Sequence, residues 1–169
     1  KGTAIGLTGL TLNSTDRLTN SGDLLSQKAL TLSAGDVTNS GRLQGQNIAL
    51  DGSSLNNSGA IQSALDLALT LSGDVIAATG SKITALGDAR LAGKALSNQG
   101  LISAKTLEVK GNSLGNSGEI SGVNGLNVAL SGNLQQQGKM LTSGLLNVNA
   151  KDIGNSGQLQ GTDTQISAS

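Results

Sequence analysis

Residues 39–50 read Asn39-Ser40-Gly41-Arg42-Leu43-Gln44-Gly45-Gln46-Asn47-Ile48-Ala49-Leu50: a small polar corner, an apolar residue, a glycine, then an alternating apolar pair. The stretch recurs along the chain. Asn-Ser-Gly stands at residues 20–22, 39–41, 57–59, 116–118 and 155–157, with degenerate copies at Ala78-Thr79-Gly80, Asn98-Gln99-Gly100 and Gln136-Gln137-Gly138. The anchor glycines Gly22, Gly41, Gly59, Gly80, Gly100, Gly118, Gly138 and Gly157 follow one another at 19, 18, 21, 20, 18, 20 and 19 residues. A fixed period of this kind marks an array of units, each too small to bury its own apolar face and each burying it against the next.

Working outward from the corner, three apolar stations keep the same phase. Two residues after the anchor come Leu24, Leu43, Ile61, Ile102, Ile120, Met140 and Leu159; after Gly80 the position holds Lys82, with Ile83 one later. An alternating pair or triplet follows, as in Leu30 and Leu32, Ile48 and Leu50, Leu69 and Leu71, Leu107 and Val109, Leu126, Val128 and Leu130, or Leu146 and Val148. A third station, at Leu18, Val37, Leu55, Leu96, Leu114, Leu134 and Ile153, closes the unit before the next corner. Alternation with period two sends one side chain inward and its neighbour outward on a strand. The intervening Gly, Ser, Asn and Asp suit turns and make poor helices.

At ~3.3 Å per residue, about 19 residues trace roughly 60 Å, which closes into a triangle with sides near 20 Å. Stacking such coils at about 4.8 Å gives every strand a parallel neighbour above and below. The expected fold is all-β, a right-handed parallel β-helix (solenoid) with about 19 residues and three short strands per coil and roughly eight coils, forming a single segment over residues 1–169. A leucine-rich repeat has a similar period, but there Asn follows the Leu-x-Leu strand within about three residues. Here Leu32 precedes Asn39 by seven. The repeat still runs at Leu10-Thr11-Leu12 and from Leu159 to Ile166, so a piece of a longer filament is expected.

Composition supports this and narrows the chemistry. The chain has no Cys, His, Pro, Trp, Tyr or Phe, so disulfides, imidazole or thiolate metal sites, histidine catalysis and aromatic stacking platforms are excluded. A narrow interior favours aliphatic side chains over rings, and proline would remove a donor from strands paired on both edges. Leu, Ile and Val make up 43 of 169 residues, enough for a packed core. Eleven Lys and Arg balance eleven Asp and Glu, which leaves no basic field for nucleic acid or an anionic membrane. No run reaches the ~18 apolar residues of a membrane span, and Lys1 is not followed by the apolar stretch of a signal peptide. The lack of Cys fits a chain that crosses a membrane unfolded.

Candidate sites are sparse. Asn20, Asn39, Asn57, Asn98, Asn116 and Asn155 are expected to form a structural ladder at one corner, bonded to the turn backbone or to one another. The eight anchor glycines are expected to be structural turn residues. Asp16, Asp36, Asp74 and Asp152 recur shortly before the corner, with Asp16 and Asp36 expected on adjacent coils, but a calcium site needs six or more oxygens in a tight run. The serines have no histidine base. Lys105 and Lys110 have Glu108 between them, so no basic stripe forms. Asn13-Ser14-Thr15 and Asn56-Asn57-Ser58 match the glycosylation acceptor pattern, as an Asn- and Ser-rich chain does by chance. Neither an enzyme nor a cofactor or metal site is expected.

The unit Asn-Ser-Gly-x-(Leu/Ile), running in residues 39–50 on to Ile48-Ala49-Leu50, resembles the haemagglutinin repeats of filamentous haemagglutinin and of contact-dependent growth inhibition effectors, from about Leu10 to Ile166. The resemblance implies a large Gram-negative exoprotein, exported by two-partner secretion through an outer-membrane transporter. It would be secreted or held at the cell surface, anchored at the outer membrane. This segment would be a shaft whose partners are its own neighbouring coils and, during export, that transporter, with any target-cell receptor met through other regions. The rival expectation is an adhesin module whose outer faces bind glycans or proteins directly, although the missing aromatics weaken sugar recognition.

Overall fold

The computed structural model describes residues 2–169, and there the chain forms 22 strands and no helix. Every pairing is parallel and links positions about one repeat apart, such as Leu30 with Leu10 below and Ile48 above. The chain is therefore a parallel β-solenoid with three faces.

The first face starts after the Asn-Ser-Gly corner, and its inward column runs Leu24, Leu43, Ile61, Ile83, Ile102, Ile120 and Met140. The second face contributes two inward columns, one through Leu30, Ile48, Leu67 and Ala89, the other through Leu32, Leu50, Leu69 and Leu91. The third is lined by Leu18, Val37, Leu55, Val75, Leu96, Leu114 and Leu134. Leu32, Leu43, Leu50, Ile61, Leu69, Ile83, Leu91 and Ile120 are completely buried. At ~25 cal/mol per Å² of apolar surface removed from water, this dry interior is the dominant favourable contribution. The period-two pattern creates it because a one-residue slip would turn each aliphatic row outward.

Four features differ from the sequence reading. The first face is nine strands deep, from Thr3–Gly6 to Gln158–Gln160, so there are nine turns rather than roughly eight. The extra turn precedes Asn20 and lacks the motif used to count coils. Next, the strands Ala29–Asn39, Asn47–Asn57, Leu101–Gly111 and Glu119–Leu130 each bend round a corner without a break, and the pairing of the last two shifts register between Ala104 and Thr106. Third, the pair aligned with Ile48 and Leu50 is Leu67 and Leu69, not Leu69 and Leu71; Leu71 stands over Gly52 at the next inward position.

The fourth concerns residues 78–81. Ala77 is in register with Asn57 and Asn98, and Ile83 with Ile61 and Ile102, so this stretch holds two more residues than its neighbours. The N–H of Ser81 donates to the carbonyl of Ala78 at 3.0 Å, closing a turn in which Gly80 has φ +79°. That is the position a type II turn reserves for glycine. Thr79 and Gly80 are the insertion, and Ser81 takes the anchor place that spacing alone gave to Gly80. The two extra residues are looped out so that Ile83 stays in its column.

Candidate functional site

The most organised polar group in the molecule is the Asn-Ser-Gly corner. The Nδ2 of Asn20 donates to Oδ1 of Asn39, and that of Asn39 to Oδ1 of Asn57, both at 2.8 Å. A second run goes from Asn98 to Asn116 and on to Oε1 of Gln136, again at 2.8 Å. Each amide also donates to the backbone: Asn20 to the carbonyls of Gly22 at 3.1 Å and Arg42 at 3.2 Å. Its Oδ1 accepts from the N–H of Gly22 at 3.2 Å. Asn39, Asn57, Asn98, Asn116 and Gln136 are buried, and burying an amide requires this degree of satisfaction.

The ladder is not continuous. Ala77 stands between Asn57 and Asn98, so Asn57 has no side-chain acceptor above it and keeps only the two backbone bonds common to the ladder, to the carbonyls of Gly59 at 3.2 Å and Lys82 at 3.4 Å. Asn155 is exposed, and its side chain accepts from the N–H of Gly157 at 3.2 Å without joining the run. Gln136, counted in sequence only as a degenerate corner, is a full member; its longer side chain ends on the carbonyl of Gln158 at 3.1 Å. Equal spacing to the anchor glycine was the available signal.

The corner glycines are fixed by contact, not by backbone twist. A Cβ on Gly22, Gly41, Gly59, Gly118, Gly138 or Gly157 would strike the backbone of the preceding coil, its nearest atom being the carbonyl oxygen of the equivalent glycine. For Gly100 that oxygen belongs to Ser81. The backbone bonds explain the closeness: the carbonyl of Asn20 accepts from both Ser40 at 2.8 Å and Gly41 at 3.2 Å. Gly80 lies outside this stack, with open space where its Cβ would be.

The aspartates do not form one group. Asp36 is in register with Arg17 and Ser54, not with Asp16, and accepts from the Ser54 hydroxyl at 2.6 Å. Asp16 contributes only its carbonyl, which accepts from the N–H of Asp36 at 2.9 Å. Asp74 stands beside Leu55, whose N–H donates to its carbonyl at 3.0 Å, while Asp152, several coils from the other aspartates, is in register with Asn133 of the adjacent coil. Among the described residues no three His, Cys, Asp or Glu come together as a metal would need. Gly111-Asn112-Ser113-Leu114-Gly115 has the Gly-x-Ser-x-Gly spacing of a nucleophile elbow, but Ser113 is half-buried at the start of the strand Ser113–Asn116.

Part of the surface charge is locally paired. Arg42 meets Asp23 at 3.2 Å, and Glu108 holds both Arg90 at 2.7 Å and Lys110 at 2.8 Å. The hydrogen bond from Lys110, with the positive charges of Lys110 and Arg90, holds the Glu108 carboxyl below its ordinary range against a smaller opposing effect of burial. Such surface pairs stabilise by at most about 1 kcal/mol.

Geometry thus defines a class: a parallel β-solenoid, the fold that haemagglutinin-type repeats are expected to form. No family model matches the chain, and no solved structure does. Curated relatives do. The chain is 84% identical over 109 residues to a "tRNA nuclease CdiA" of Escherichia coli strain STEC_O31, covering 64% of this chain and 3% of that protein. It is 40% identical over 130 residues to the "tRNA nuclease CdiA" of E. coli strain NC101, covering 76% of this chain and 4% of the relative. It is 34% identical over 148 residues to the "Deoxyribonuclease CdiA" of Dickeya dadantii, covering 85% of this chain and 4% of the relative. The chain belongs with the CdiA contact-dependent growth inhibition proteins, of which it spans a few per cent of the length.

Proposed function

We propose that residues 1–169 are one stretch of a structural rod in a contact-dependent growth inhibition exoprotein, extending a distal receptor-binding or toxin region from the cell. The carrying observation is the unbroken stack of nine parallel turns whose inward aliphatic columns stay in register from coil to coil. At about 4.8 Å per turn, eight intervals give roughly 38 Å of rod. The nuclease activities in the relatives' names belong, on this reading, to other parts of those long proteins. Support comes from a matched stretch of only 3–5% of each relative and a chain without His or Cys. The exported parent would be secreted by a two-partner route, anchored at the outer membrane of a Gram-negative cell, and would meet its receptor elsewhere along its length.

Deleting two whole coils, residues 101–138, from the parent tests this. The corner at Gly100 then joins Lys139, whose register matches that of Leu101 through Glu119. The expected result is a filament shorter by ~10 Å in electron micrographs with unchanged receptor affinity. Lost affinity would contradict the rod and favour an adhesive outer face. The buried Asn and Gln ladder and the corner glycines serve, on the same proposal, to hold successive coils at one spacing.

A further inference from the structure

On the second face, the outward column reads Thr31, Ala49, Ala68, Arg90, Glu108 and Asn127. The small side chain of Ala68 leaves a trough of about 330 Å³, with Ala68 at its floor and Asp66, Asp88, Arg90 and Glu108 at its walls. The adjoining corner presents Leu65 and Leu86, 46% and 77% exposed; other coils place Leu7, Gln27, Gln46, Lys105 and Val123 there, so only here do two large aliphatic side chains stand on successive coils. Large aliphatic side chains this open, beside an indentation, mark an interaction surface more than a folding need.

Charge selects the occupant. Asp66 and Asp88 stand on neighbouring coils, with the N–H of Asp88 donating to Oδ1 of Asp66 at 2.9 Å. Neither forms an ion pair among the described residues, whereas Glu108 at the far wall is already held by Arg90 and Lys110. Uncompensated negative charge therefore sits on the leucine side of the trough. Two carboxylates one strand spacing apart favour a cation between them. A metal ion would want further oxygen ligands, and among the described residues no three His, Cys, Asp or Glu come close enough together to hold one, Glu108 being engaged by Arg90 and Lys110. Both strand edges are paired, so a partner cannot add a strand and must be held by side chains.

We infer that this trough docks an extended polypeptide segment of another protein that presents a lysine or arginine beside an aliphatic side chain. The cation lies between Asp66 and Asp88, and the aliphatic group covers Leu86 and Ala68. The small area makes the contact weak and transient. This inference does not rest on the rod reading, since it concerns a lateral surface of the folded chain.

The test is a nuclear magnetic resonance titration of the isotopically labelled 169-residue chain with an acetylated Leu-Lys-Leu-Lys-Leu-Lys amide, and with its Leu-Glu counterpart. Shifts confined to residues 64–68 and 86–90, seen with the lysine peptide alone, are expected. The pair Asp66→Asn and Asp88→Asn should weaken binding about tenfold or more, and Leu86→Ser severalfold, each with an unchanged circular dichroism spectrum. Equal shifts at Asp36, Asp74 and Asp152, equal binding of the glutamate peptide, or undiminished binding by the double variant would overturn the proposal. So would sedimentation showing a dimer lost on Leu86→Ser, which would give the trough to a second copy of the chain.

Discussion

The coils bearing Asn20, Asn39 and Asn57 and the coil of residues 60–81 share one interior and differ at almost everything around it. In the former, a buried amide ladder and close glycine contacts fix the corner. In the latter, Ala77 interrupts the ladder, Thr79 and Gly80 loop outward, and the buried hydroxyl of Ser81 has no hydrogen-bond partner. Leu65 and Ile76 also face solvent there. The aliphatic columns nevertheless pass straight through, with Ile83 on Ile61 and Leu69 on Leu50. Backbone pairing and core packing are therefore sufficient to set the register, and the corner devices add to a stack that can locally do without them.

The comparison breaks first in the core. If both regions are equally packed, Leu50→Ala and Leu69→Ala will each cost about 2–5 kcal/mol in chemical denaturation; a much cheaper Leu69→Ala would mean that the irregular coil is loose. Gly41→Ala comes next, at about 1–3 kcal/mol as its Cβ forces the coil off Gly22. Gly80→Ala has open space and should cost only about 1 kcal/mol, from its positive φ alone. An equal cost for the two glycines would reject the distinction between contact and twist.

Ladder variants sharpen the contrast. Asn39→Ala removes the middle of a bonded trio and should lose about 1–3 kcal/mol, with faster amide hydrogen exchange at residues 20–22 and 57–59. Ala77→Asn should do the reverse, joining the two runs and raising the thermal midpoint modestly, by the equivalent of ~1 kcal/mol or less. A fall in the midpoint would show that the inserted turn has closed off the amide site.

The smallest effect concerns Glu108. Its carboxyl is held below the unfolded value by Lys110 and Arg90, so its contribution is present above about pH 4 and is lost as pH falls through the folded value. Glu108→Gln should remove a few tenths of a kcal/mol at neutral pH and nothing at low pH. A pH-independent difference would mean that packing, not charge, was lost.

Much of this was readable from residues in order. Leu43, Ile48, Leu50 and Leu55 announce strands facing one interior, and Asn39-Ser40-Gly41 announces the corner, because alternation and turn chemistry act between near neighbours. The insertion at Thr79 and Gly80 was not readable. Gly80 has the spacing of an anchor, and nothing local says that Ser81 will stand over Gly59 and beneath Gly100 instead. The same holds for Leu67, which takes the inward place that spacing had given to Leu69.

By itself, then, the sequence determined a solenoid with an aliphatic interior, a polar exterior and glycine-bearing corners. Only the folded molecule decided which residue stands over which: where the ladder stops, why a glycine cannot carry a Cβ, and how Ala68 and two aspartates from different coils come to share a trough. Strand alternation is local, whereas vertical neighbours are set by how many residues each corner absorbs before the next aliphatic side chain drops into its column.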